Sequence, residues 1–560
     1  MSNLPQWNLS DFYTSYKSKK IKNDITNLNN QVIEFSKKYK NKLKLLDNSS
    51  LVNSIKLYEK IEEKIFFIKS FSFLTHCTDQ LNKDKNKFYQ GIDEVLSKTE
   101  KNLVFFGIEF NKLDKKKVNL LKKSKYKSWI ENLNKFKKYQ QSESIEKILM
   151  EKSITSSSSW IKFFDQTMTR LRFVFRNKEL TETEILNLLS SPNQSVRKDA
   201  ALSFGKTLKN NIFNFTFIMN NISKDLDIDN NLRGFELPES SRHLSNQIDK
   251  EDVDSLVKTV TTNYSSICHR YYKYKAKHFG QKKLNFWDRN APYPNSKIVD
   301  ISWKKAKNIV LKSYNDFDKR MGDIAEIFFE RSWIHAKPTK GKTSGAFSHP
   351  TVTNVHPFIL LNYQGKQRDV MTLAHELGHG IHQSLSSSQG EILSGTPLTL
   401  AETASVFGEM LTFQTMLADT RTELERKHML ASKVEDMINT VIRQISFYDF
   451  ECRIHERRQS GELTPTEIGK IWLDISRESL GPSFEYMKGY ENFSVDGTNG
   501  QEVSELQDFA LTVMMPPDVK GFFKDVHGTS ISEIAKGISN KNLSQEKRDE
   551  LSEISTELNK

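Results

Sequence analysis

Two histidines and a glutamate in the stretch DVMTLAHELGHGIHQSL, residues 369–385, carry the clearest chemistry in this chain: His375-Glu376-Leu377-Gly378-His379. On a helix, side chains four residues apart leave the same face one turn apart. His375 and His379 can therefore direct two imidazole nitrogens at one metal ion. Glu376 lies beside them, placed to take a proton from a metal-bound water. Val370, Leu373, Ala374, Leu377 and Ile381 give the helix an apolar face, and Asp369 is a candidate cap for its N-terminus. These apolar surroundings argue against a pair of solvated surface histidines, because buried polar groups need partners. Gly378 costs about 1 kcal/mol against Ala inside a helix, which predicts close packing at that point.

A hydrolytic zinc site usually has three protein ligands and one open position. A third His ten residues after His375 is absent, since Leu385 stands there. The segment TPLTLAETASVFGEMLTF offers Glu402 and Glu409 instead, seven residues apart and on one helical face. Glu402 has a competing use, a capping box with Thr399. The helix is otherwise almost uncharged from Leu398 to Phe407, however, and a lone carboxylate there is better explained by a cation. Glu402 is thus the expected third ligand. Glu409 is expected to accept a hydrogen bond from a ligand imidazole. His382 shares the stripe of His375 and His379 and reads as a packing or hydrogen-bonding neighbour, because a fourth ligand would close the site. Upstream, Gly345, Ala346, Phe347 and Ser348 form a strand-like run that ends at His349, and Pro350 and Pro357 confine it to a sheet edge. Such an edge can pair with an extended peptide through main-chain hydrogen bonds.

The elements that must position these groups are mostly helical. Residues 51–75, 85–107, 115–150, 179–225 and 301–333 carry apolar residues at three- and four-residue spacing, punctuated by Asn, Ser and Asp. Residues 281–300 form a Pro/Asn-rich connection, and 336–368 alternate turns with strand-like runs. Helices are expected from about Asp369, from about Thr399 and over about 420–458.

Composition narrows the class. The chain has 560 residues, and its 36 Phe, 17 Tyr and 7 Trp supply apolar mass for a sizeable core. Three distant cysteines, Cys77, Cys268 and Cys452, form neither a zinc-finger spacing nor a disulfide framework, which fits a reducing compartment. The start has no apolar signal core, and no run of about 18 apolar residues occurs. A cytoplasmic protein with no membrane partner is expected. The net charge of +13 sits entirely in residues 1–150, which hold 30 Lys, no Arg and 17 acidic residues. Those lysines alternate with apolar residues at helical spacing and read as a solvated helical face. No nucleic-acid recognition motif accompanies them, so no nucleic-acid partner is expected.

HELGHGIH, followed by LTLAETASVFGEM and preceded by GAFSHPTVTNVHPFILLNYQGKQRDVMTLA, resembles the oligoendopeptidase F branch of the thimet oligopeptidase family. The likeness extends through WNLSDFY (7–13), FWDRNAPYP (286–294) and FYDFECRIHERR (447–458). It implies a mainly α fold: a large helical body with a deep channel around a thermolysin-like HExxH zinc core, and a small β-sheet beside it. It implies cleavage of short peptides, one Zn2+ per chain on His375, His379 and Glu402, general-base chemistry on Glu376, and peptide-backbone contact along 345–349. The expected regions are a Lys-rich helical 1–110, an oligopeptidase F N-terminal-like 111–190, a catalytic 191–493 and a divergent 494–560. After YMKGYENF the family pattern of His and Tyr residues, which stabilise the oxyanion, is replaced by SVDGTNGQEVSELQDF, and the one later histidine is His527. Three alternatives follow: a weak peptidase, a peptidase using His349, His455, Tyr486 or Tyr490 as substitute donors, or an altered C-terminal segment. A peptide-binding relative that keeps zinc but catalyses poorly is the competing function. The side-chain preference at the cleavage site and the oligomeric state are not legible in the sequence.

Overall fold

Helices start where a short polar side chain can take up the first free backbone N–H groups. Ser18, Asp47, Asn82, Asp114, Ser142, Thr181, Asn193, Ser302, Asp318, Thr422 and Thr464 each accept such a bond. The computed structural model describes residues 4–294 and 300–486. Stretches that spacing alone reads as continuous are divided into shorter helices, some at these caps and some without one. Residues 115–150 are split among Lys115–Leu121, Lys127–Lys135 and Glu143–Ser153. The 179–225 stretch becomes Glu182–Leu188, Gln194–Asn210 and Ile212–Arg233. Asp318 ends one helix, Trp303–Phe317, and caps the next, Lys319–Glu330. The 420–458 stretch runs as Glu423–Ile438, a π turn at Asn439–Arg443, and Gln444–Gln459.

The apolar faces close four cores. The first runs from Phe12 to Ile130 and takes in Phe358 from the sheet, so position 110/111 is not a packing boundary. The third surrounds the motif helix, Gln367–Ser386, through Val370, Leu373, Ala374, Leu377 and Ile381, with Tyr314, Phe328 and Ile359 packed around it. This helix begins before Asp369. Asp369 acts from inside the first turn, its Oδ2 accepting from the N–H groups of Gln364 (2.7 Å) and Lys366 (2.9 Å).

The sheet beside the motif helix has three strands in the order Ile334–His335, Phe358–Leu360, Phe347–His349. The first pair is parallel and the second antiparallel. Phe347–His349 is the edge, as the flanking prolines predict, while Phe358–Leu360, which begins right after Pro357, is the buried centre. Lys342 Nζ is buried against this sheet and donates to the carbonyls of His335, Lys337 and Leu361.

The second site-bearing helix, Leu398–Ala418, crosses the motif helix with almost no gap. A Cβ on Gly378 would lie 2.6 Å from the Ala404 carbonyl oxygen and 2.8 Å from Ser405 Cα. A Cβ on Gly408 of the other helix would lie 3.0 Å from the Ala374 carbonyl oxygen and would overlap Tyr314 Oη. Each helix is thus notched by a glycine where the other's backbone passes. Tyr314, fully buried, donates its hydroxyl to the Ala374 carbonyl just ahead of His375.

Helix propensity alone predicts that Gly→Ala stabilises a helix by about 1 kcal/mol. At Gly91, inside Lys83–Glu100 and with nothing within 4 Å of an added Cβ, that gain is expected. At Gly378 the collision is with backbone, and overpacking of this kind costs about 1–3 kcal/mol. Denaturant unfolding should therefore show Gly91→Ala raised and Gly378→Ala lowered; a rise in both would refute the close crossing.

Candidate metal centre

The crossing brings three donor side chains together. His375 and His379 lie one turn apart on the motif helix, and Glu402 faces them from the second turn of the second helix. Their ligand atoms all lie within 4.8 Å of one another. His375 Nε2 is 3.2 Å from Glu402 Oε2, and His379 Nε2 is 3.3 Å from Glu402 Oε1. Four donors placed tetrahedrally at about 2.0–2.1 Å from a zinc ion are separated by about 3.3–3.4 Å. Each imidazole thus lies from one Glu402 oxygen at the separation of two zinc ligands, and all three side chains fall within reach of one ion.

Glu402 does not serve the capping box that its distance from Thr399 allows. Its Oε2 accepts from Ser405 Oγ (2.7 Å), and Thr399 Oγ1 turns instead to the carbonyl of Asn246 (3.3 Å). Glu409 lies two turns further along and accepts from His375 Nδ1 at 2.6 Å. That bond puts a proton on Nδ1 and turns Nε2 to Glu402. The other Glu409 oxygen takes Lys433 Nζ at 3.1 Å. Lys433 lies on Glu423–Ile438, a helix that no motif marks.

The electrostatics favour positive charge at this point. Burial opposes ionisation of Glu402, yet the bonds to His375 and His379 outweigh it and hold its carboxyl well below the usual range. Burial likewise opposes a charge on His375, and the carboxylates of Glu402 and Glu409 overcome it, raising that imidazole well above its ordinary value. Glu409 is held low by the bond to His375 and by Lys433, against the effect of burial. Glu376 behaves differently: it is 5% exposed, and burial raises its pKa despite the neighbouring histidines. His382 is half-buried, its pKa lowered by burial and by nearby His379.

The sheet edge falls beside this cluster, but not all of its side chains face it. Ser348 turns to the motif helix, where it meets Gln383. Phe347 packs on Phe73, with ring centroids 5.6 Å apart. His349 is bonded through Nε2 to Ser70 Oγ (3.0 Å), lies against Phe73, and has its pKa pushed down to about 4 by burial. Its imidazole is engaged by the helix Asn48–Cys77, which corrects the expectation that this side chain is available to a peptide. The same holds for two other candidate donors. Tyr486 Oη donates to the Ser476 carbonyl (2.8 Å), and His455 lines a separate small cavity with Asp227, Asn230 and Gln459. Tyr490, His527 and the divergent segment lie outside the described residues. Lys433 and Gln383 are site neighbours that sequence reasoning missed. Gln383 had a signal, since it continues the i, i+4 stripe of His375 and His379.

Comparison with known proteins agrees with this geometry. The model for Peptidase family M3 matches residues 187–492, and that for Oligopeptidase F matches residues 109–173. The chain is 29% identical over 468 residues to an oligoendopeptidase F homolog of Borreliella burgdorferi, covering 80% of this chain and 78% of that protein. It is 25% identical over 501 residues to oligopeptidase PepF of Bacillus subtilis, covering 85% of this chain and 72% of that one. Among solved structures, a putative oligoendopeptidase F superposes with a TM-score of 0.74 at 14% identity, over 93% of this chain and 89% of that one. PZ peptidase A superposes with a TM-score of 0.73 at 16% identity, over 90% and 86%. With the M3 model covering more than half of the chain and the oligopeptidase F model lying just ahead of it, this protein belongs to the oligoendopeptidase F branch of peptidase family M3 and is a metalloendopeptidase.

Proposed function

We propose that the protein hydrolyses short peptides with one zinc ion held by His375, His379 and Glu402, and with Glu376 as general base and then general acid. The observation that supports it most is the pair of 3.2 and 3.3 Å separations between the Glu402 oxygens and the two imidazole Nε2 atoms, with Glu376 buried alongside. Zinc in such a site polarises the scissile carbonyl and brings the pKa of a water to about 7. Glu376 takes the proton of the attacking water on its carboxylate and passes it to the departing amine. Its burial suits both halves of that task, because a base whose pKa is raised toward neutrality also gives the proton back. Glu409 fixes the tautomer and orientation of His375. The outward edge of 345–349 pairs with the peptide backbone. Residues 191–493 form the catalytic part in this reading, and the free thiols of Cys77, Cys268 and Cys452 suit a cytoplasmic setting.

One observation favours the second reading, a peptide-binding relative with poor catalysis. His349 and Tyr486 are bonded elsewhere, and His455 lines another cavity, so none of the three is joined to the metal cluster. Loss of one oxyanion donor costs about 10²–10³ in rate.

Cleavage of a quenched fluorescent peptide of about ten residues separates the two readings. The zinc-loaded protein should cleave it, and chelation should stop cleavage until zinc is returned. Glu376→Gln should lower the rate by about 10²–10⁴ while one zinc per chain remains bound. A zinc-loaded chain that binds the peptide and leaves it intact would establish the second reading.

Glu409→Gln removes the charge that anchors His375 and that pairs with Lys433. Zinc affinity, measured by chelator competition, should weaken about 10–100-fold. An unchanged affinity would show that Glu409 plays no part in orienting the ligand.

A further inference from the structure

The edge strand and the metal helix have to be held at a fixed offset for a paired peptide to reach the zinc ligands. In the antiparallel pair, Phe347 faces Leu360, Ser348 faces Ile359 and His349 faces Phe358. The N–H groups of Ile359 and Leu361 donate to Trp333 and His335 on the opposite side. Phe358 and Leu360 therefore bond toward the edge strand, and backbone alternation turns the N–H and C=O of Ser348 outward; the C=O accepts from Gln383 Nε2, and the N–H is the group left for a peptide. Ala346, two residues earlier, faces outward in the same way, and its backbone groups make no hydrogen bond to any described residue.

Two elements grip this strand. The helix Asn48–Cys77 holds Phe347 and His349 through Phe73 and Ser70. On the other face, Gln383 of the motif helix holds Ser348. Gln383 Nε2 donates to the Ser348 carbonyl at 3.1 Å, and Ser348 Oγ donates to Gln383 Oε1 at 2.8 Å. Among the described residues, these are the only hydrogen bonds between the edge strand and the motif helix. The remaining contacts between sheet and helix are apolar, such as Ile359 against the helix near Gly380. Apolar packing is non-directional, whereas a paired amide fixes separation to a few tenths of an ångström. Gln383 follows His379 by one turn and His375 by two, on one stripe, so the tie ends on the same rigid turns that carry both ligands.

We infer that Gln383 is a positioning residue that sets the cleavage register, tying Ser348 of the peptide-pairing edge to the helix that carries His375 and His379. This rests on the proposed peptidase function. When the tie is lost, the peptide still pairs with the edge, but its carbonyl no longer meets the metal at one fixed offset. A misplacement of about 1 Å costs about 10²-fold in rate.

The test compares wild type with Gln383→Met, which keeps the bulk and loses both bonds, and with Gln383→Glu, which keeps the acceptor for Ser348 Oγ and loses the donor. All three are assayed zinc-loaded on the same ten-residue peptide, with products mapped by mass spectrometry. For Gln383→Met we expect kcat to fall about 10–100-fold, KM to stay within about twofold, bound zinc to remain one per chain, and products from neighbouring bonds to appear. Gln383→Glu should fall between the two. Hydrogen exchange over residues 345–349 should quicken in Gln383→Met and stay unchanged over the motif helix. A wild type that cleaves, beside a Gln383→Met that keeps the same kcat and the same single cleaved bond, would overturn the inference alone. A zinc-loaded wild type that does not cleave would overturn the peptidase reading and this inference with it.

Discussion

Everything at the site depends on how closely two helices approach. Glu402 reaches both imidazoles only because the backbone of Leu398–Ala418 passes within contact distance of the motif helix. Ordinary interhelical distances of about 8–10 Å reflect the side chains at the contact. Removing the side chain at Gly378, and reciprocally at Gly408, lets the axes draw together. The cost in helix propensity falls on one residue in each helix, while the gain is a three-point cluster of ligand atoms. Tyr314, buried at the crossing, bonds the Ala374 carbonyl, so the turn that leads into His375 is held there as well.

That approach places three largely buried carboxylates, Glu376, Glu402 and Glu409, around two imidazoles. Buried charge of one sign is costly unless it is paired. The protein answers it twice. Lys433 balances Glu409 from the outer side, and Asp436, half exposed, takes the rest of the lysine's charge at 3.3 Å. Toward the inner side, Glu402 is held ionised and meets the two Nε2 atoms. The upward shift of His375 has the same cause: the carboxylates of Glu402 and Glu409 outweigh its burial. A divalent cation answers those carboxylates better than a proton, because it is shared by all three donors.

The helix that carries His375 and His379, and the meeting of Glu402 and Glu409 with those imidazoles, were legible from spacing, because four-residue and seven-residue repeats map directly onto a helical face. The edge position of Phe347–His349 was legible from its prolines. Other features were hidden for identifiable reasons. Helix breaks at Asn211 and Asp318 are hidden because apolar spacing continues across them, and Asp369 does cap the N-terminus, but as the third helical residue of a capping box on the Lys366 N–H. His349 reads as a site residue from its neighbours in sequence. Strand alternation, together with a helix some 280 residues earlier, decides otherwise by giving it Ser70 as partner. Lys433 sits on a charged helix with many equivalent lysines, and only the fold shows which one meets Glu409.

The Lys-rich first part of the chain also takes on a different meaning once packed. Its core is shared with Phe358 of the central strand, and Trp7 Nε1 donates to the carbonyls of both Trp333 and Ile359. Those carbonyls belong to the strand that pairs with the Phe347–His349 edge and to the residue just before its other neighbour. The N-terminal helices therefore fix one face of the sheet while the motif helix fixes the other. An edge strand of three residues has too few ladder bonds to hold its own position. Its placement relative to the His375, His379 and Glu402 cluster is set by two distant parts of the chain acting from opposite sides. A change at Ser70 or Phe73, far in sequence from His375 and His379, acts on the face of the strand opposite to the one that Gln383 holds.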